Sequence, residues 1–62
     1  MQNQDTKAVD QFVENTMRAV QARTGFTGKD LHKATGLVLA DLALENGRPE
    51  SAKRFLDRVA AL

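Results

Sequence analysis

The chain has no cysteine, no tryptophan and no tyrosine, and only one histidine and one proline among 62 residues. Without cysteine, no disulfide can staple the fold and no thiolate can hold a metal. A lone histidine, His32, cannot build a metal site, and no nucleophile stands at a useful spacing from it. The four glycines are not arranged as a phosphate-cradling loop. Neither catalysis nor a cofactor is therefore expected. No apolar run approaches the roughly 20 residues that cross a bilayer. No basic-then-apolar leader opens the sequence. These absences fit a cytoplasmic protein with no membrane attachment. No segment alternates apolar and polar residues with β-branched enrichment, so no strand is expected.

What is present reads as one small all-α domain over residues 1–62. Hydrophobic residues make up 42% and charged residues 27%, without low-complexity runs, which places the chain among globular rather than disordered sequences. A chain this short buries a modest fraction of its surface and is marginal alone. Stability must come from tight helix packing or from association, and a homodimer is expected.

Three to four helices are predicted. The first covers about 5–23, where Val9, Phe12, Val13, Met17 and Val20 recur at steps of three and four and share a face. Glu14 and Arg18 form an i,i+4 pair on the other side, and Thr24-Gly25 ends the helix. The second covers about 28–46. Thr27 is placed to cap it, with Asp30 at the third position and Phe26 and Leu31 as a hydrophobic staple. Asn46-Gly47 supplies its stop. The third runs over about 49–62 from Pro49, a natural first-turn residue. Its apolar stripe is Ala52, Phe55, Leu56, Val59 and Leu62. Glu50–Arg54 and Lys53–Asp57 lie on its wet side at i,i+4 spacing.

Net charge is +1, which points to no partner by itself, but its sign alternates along the chain. Residues 1–17 carry Lys7 against Asp5, Asp10 and Glu14; residues 34–47 carry only Asp41 and Glu45. Arg18, Arg23, Lys29 and Lys33 stand against Asp30, and Arg48, Lys53, Arg54 and Arg58 stand against Glu50 and Asp57. Two basic clusters of this size suit phosphate contact, and equally a solvated mixed surface.

The middle segment admits two readings, and Thr35-Gly36-Leu37 separates them. As one continuous helix it is apolar nearly all round. Leu31, Ala34, Val38 and Leu42 share one face, Leu37, Ala40 and Leu44 roughly the opposite one, and Leu39 and Ala43 a third. Such a helix must be covered on several sides, so Leu37, Leu39 and Leu44 become candidates for a dimer or partner interface. Its hairpin from Leu39 to Val59 looks like a single tetratricopeptide-type helix pair, with Ala40, Gly47 and Ala52 at the small-residue positions. Asp41 is either an exposed residue of a short reading helix or an interface acid paired with an arginine across a dimer.

With a turn at Gly36, the chain from Met17 onward resembles the lambda-repressor and Cro type of helix-turn-helix. The residues that carry this are Met17 and Val20, Gly25-Phe26-Thr27, Leu31, Thr35-Gly36-Leu37, Glu45-Asn46-Gly47, and the closing Leu56-Asp57-Arg58-Val59-Ala60-Ala61-Leu62. The resemblance implies a dimeric DNA-binding transcription regulator. The contacts it carries over are to the DNA backbone: Thr27, Lys29 and Asn46, with Lys33 and Arg48 nearby. The chain departs from the pattern at His32, where the family has a small residue, and between Gly36 and Glu45, which is one residue short. The outward positions of the reading helix are Val38, Leu39, Ala40 and Ala43, which offer bases no hydrogen bonds. Two functions follow as expectations: a helix-turn-helix regulator if the helix breaks at Gly36, and a dimeric helical protein-interaction module or inhibitor if it does not.

Overall fold

The structure is a computed structural model that describes the backbone from Gln2 to Leu62 and the side chains from Lys7 onward. The charge at Asp5 lies outside the described side chains. Three helices follow one another: α1 (Gln2–Thr24), α2 (Gly28–Glu45) and α3 (Pro49–Ala60). The architecture is the all-α small bundle that the sequence predicts, with α1 starting three residues earlier than expected. Short connections force consecutive helices to run antiparallel.

The helix ends are partly those expected. Gly25 closes α1, its N–H donating to the Gln21 carbonyl at 2.8 Å. At the end of α2, Gly47 takes φ +69°, a left-handed conformation that glycine adopts without a Cβ penalty. That turn lets the Gly47 N–H reach the Leu44 carbonyl at 3.1 Å and the Arg48 N–H reach the Ala43 carbonyl at 2.8 Å. The pair of bonds is a Schellman motif. Asn46 Nδ2 adds a third, to the Leu42 carbonyl at 2.8 Å. Pro49 then opens α3 at its first turn.

The start of α2 corrects an expectation. Thr27 occupies the N-cap position with extended backbone, but its side chain makes no capping hydrogen bond. A capping hydroxyl needs a right-handed helical residue directly after it to aim the next amides backwards. Here Gly28 takes φ +57°, which turns those amides away. The Thr27 carbonyl accepts only a long bond, 3.4 Å, from the Leu31 N–H. Of the proposed staple, Leu31 is buried and Phe26 remains exposed.

The middle of the chain is one unbroken helix. Gly36 lies well inside α2, with no turn at Thr35-Gly36-Leu37. Its lack of a side chain has a packing cause: a Cβ built there would overlap Val59 Cγ2 and lie 3.8 Å from the Phe55 carbonyl oxygen. Gly36 is thus where α3 crosses closest to α2. Ala40, Ala43 and Ala52 continue that seam as a buried cluster with Phe55 packed against it. Small residues let the two backbones approach, so α2 and α3 form a tight pair, whereas among the described residues the backbone of α1 approaches α2 and not α3.

The resulting core is thin. Its buried apolar residues are Leu31, Leu39, Ala40, Ala43 and Ala52, and no large side chain is fully enclosed. Thr35 is buried as well, its hydroxyl without a hydrogen-bond partner.

Two substitutions test this packing. Gly36→Ala gains about 1 kcal/mol of helix propensity but forces extra volume against Val59, at about 1–3 kcal/mol; a net loss of stability is expected. In a Val59→Ala background the same change should become neutral or stabilising. A double-mutant cycle by urea denaturation that finds the two sites additive would contradict the contact. Thr27→Ala should shift stability by no more than about 0.5 kcal/mol, as an exposed site does. A loss near the roughly 1 kcal/mol of a true N-cap in thermal unfolding would overturn the corrected reading.

Candidate interaction surface

The residues expected to contact DNA do not form one patch. Thr27, Lys29 and Lys33 are exposed on the connection to α2 and its first two turns; Asn46 and Arg48 are exposed beyond its other end. From Lys29 to Asn46 the chain follows a continuous helix, about 25 Å at 1.5 Å per residue. A break at Gly36 would have folded these ends towards each other, and the helix has none. Asn46 also directs its amide group at its own helix, to the Leu42 carbonyl.

The three leucines expected at an interface divide. Leu37 and Leu44 keep 53% and 56% of their surface, one helical repeat of seven residues apart on the outer side of α2. Leu39 is a correction: only 4% exposed, it belongs to the core. The reason is rotational. Leu39 lies on the side of α2 that carries the buried Leu31, Thr35 and Ala43, whereas Leu37 sits roughly opposite. Asp41 is exposed and makes no ion pair; His32 is exposed too.

One apolar surface was not anticipated. Because α1 and α3 diverge, an open groove of 1120 Å³ lies between them over the C-terminal half of α2. This exceeds the roughly 300–1,000 Å³ of an ordinary small-molecule pocket. Val9, Phe12, Val13 and Met17 form its α1 wall, Leu42 and Ala43 its floor, and Phe55 its α3 wall. Val9 and Phe12, which the helical stripe of α1 assigns to a core, are 57% and 52% exposed. Periodicity alone gave no signal of this, because it locates an apolar face without saying what covers it.

The two lips of the groove carry opposite charge. Asp10 and Glu14 line it from α1; Arg48, Arg54 and Arg58 line it from the α3 side. Of the expected i,i+4 pairs only Glu14–Arg18 forms, at 3.9 Å with both side chains well exposed, where such a pair contributes little. No carboxylate among the described residues pairs with Arg48, Arg54 or Arg58. Among the described residues the three guanidinium groups therefore meet the groove without a paired carboxylate.

A second, smaller cavity of 200 Å³ lies where all three helices meet, bordered by Met17, His32, Leu39, Val59 and the unpartnered Thr35 hydroxyl. It is a consequence of the same loose seating of α1. The accessible surface totals 5038 Å². A compact monomer of 6.8 kDa should expose about 4,000 Å² by area–mass scaling. About 1,000 Å² more than a closed globule would show is thus left in water. Among the described residues no three histidine, aspartate or glutamate side chains gather as a metal site, and no helix is long and apolar enough to cross a membrane. Comparison of the chain with protein-family models, with curated proteins and with solved structures returns no match.

Proposed function

We propose that this chain is a non-enzymatic helical association module whose working form is a homodimer, and that it acts through protein contacts rather than by reading DNA. The observation that carries this reading is the unbroken α2. A helix-turn-helix needs a separate reading helix at an angle to the one before it, and here Gly36 packs against Val59 within a single helix. The apolar residues that such a reader would have turned towards bases instead serve packing: Leu39, Ala40 and Ala43 are buried.

The association role follows from what α2 and α3 leave uncovered. A thin core with exposed Val9, Phe12, Leu37 and Leu44 describes a protomer that gains stability by burial against protein. Exposed apolar patches of this kind, bordered by charge, mark interaction surfaces. The basic residues contribute to that border. Of the cations expected at DNA, Lys29 and Lys33 lie at the opposite end of α2 from Arg48, so these three offer phosphates no continuous track of the kind that gives strong, salt-dependent binding.

The chain should sediment as a dimer at micromolar concentration, and its thermal midpoint should rise with protein concentration, because dissociation accompanies unfolding. A gel-shift titration at low salt should show no DNA retardation. A strict monomer mass at several hundred micromolar, on the order of what a weak millimolar-to-micromolar association would populate, would remove the proposal. Site-specific DNA binding would return the helix-turn-helix regulator to first place.

A further inference from the structure

The groove between α1 and α3 identifies its own occupant. We infer that it receives α1 of a second copy of this chain, reciprocally, so that the two α1 helices lie side by side at the centre of a two-fold dimer. This rests on the association reading above and specifies its surface.

The fit is argued first from helix-in-groove recognition. Such sites take an amphipathic helix through anchors at i, i+3, i+4 and i+7 or i+8. Helix α1 offers unburied anchors at that spacing, Val9, Phe12, Val13 and Met17, of which Val9 and Phe12 are the most exposed. The second argument is charge. Asp10 and Glu14 border that apolar stripe on one side, and the α3 lip of the groove carries Arg48, Arg54 and Arg58 without a carboxylate partner. An acidic-edged helix entering the groove brings its carboxylates to that lip. In an isologous dimer each contact occurs twice. Asp10 and Glu14 of each copy would face Arg54 and Arg58 of the other.

The third argument is area. A stable interface removes about 800 Å² from each partner. The surplus surface of this protomer, about 1,000 Å² beyond the closed-globule value, is of that order. Leu37 and Leu44 lie on the outer side of α2, away from this seam. The groove mode leaves them in water.

The test uses two complementary charge-reversal variants of the full chain, Asp10→Arg/Glu14→Arg and Arg54→Glu/Arg58→Glu. All four positions are exposed, so the helical circular-dichroism signal should persist in each. Each variant alone should dimerise at least about tenfold more weakly than the unmodified chain, since like charges then face each other across the seam. An equimolar mixture should recover a heterodimer in sedimentation velocity. Phe12→Ala, an exposed site whose truncation opens no internal cavity, should weaken the dimer at unchanged helicity. Leu37→Glu/Leu44→Glu should leave the dimer intact.

Two failures remain distinguishable. A wild-type chain that is monomeric defeats the association reading and this inference together. A wild-type dimer that tolerates both charge reversals and Phe12→Ala, but dissociates on Leu37→Glu/Leu44→Glu, overturns the groove mode alone and moves the interface to the outer face of α2. Loss of helicity in the charge variants, with no recovery on mixing and no effect of Phe12→Ala, also overturns the groove mode.

Discussion

The contact between Gly36 and Val59 organises this molecule. A helix with a bulkier residue at position 36 would hold α3 away, and the buried seam of Ala40, Ala43 and Ala52 would open. Seams built from small residues gain from close approach, because dispersion and the exclusion of water both fall off steeply with separation. The glycine that weakens a helix by about 1 kcal/mol in isolation is retained where its missing side chain is the space another helix fills. From that tight pair follows the loose third element: α1 has α2 to lean on and no close approach to α3, so its stripe is covered from one side only.

Much of the fold was legible in the sequence, because helix boundaries depend on local chemistry. The stripe Ala52-Phe55-Val59, the Asn46-Gly47 stop and Pro49 at the next start required no tertiary knowledge, and each lies where the pattern put it. Position 36 was different. A glycine inside an apolar run signals either a turn or a close helix crossing, and only the identity of the atoms opposite it decides. Those atoms belong to Val59, 23 positions away in the sequence. The Thr27 cap failed for a more local reason. Its residue types fit the pattern, but Gly28 is free to adopt a left-handed conformation, and it does.

The interaction surface was legible only in part, for a reason of rotation and coverage. Periodicity locates an apolar face but does not say whether anything covers it. Leu37, Leu39 and Leu44 have similar chemistry, yet Leu39 points into the protomer and the other two point out. Val9 and Phe12 belong to the apolar face of α1 that the sequence shows and are exposed on the groove wall, since α3 makes no close approach to α1 that would cover them. Thin cores in small chains commonly require an added partner or staple. With no cysteine available, protein association is the route that the exposed apolar wall and the unpaired arginines support here.

Continuity of α2 is the point on which the fold and the proposed function both depend, and backbone amide exchange measures it residue by residue. In an unbroken helix the amides of Leu37, Val38, Leu39 and Ala40 donate to carbonyls one turn back, across Gly36, and exchange slowly. Nuclear magnetic resonance of the uniformly labelled chain should therefore find one protected block running from the second turn of α2 to Glu45, with helical carbon shifts at Thr35, Gly36 and Leu37. Rapid exchange at Gly36, Leu37 and Val38 between two protected segments, with non-helical shifts at Gly36, would reveal a turn there. It would contradict the close crossing with Val59 and the interaction reading built on it.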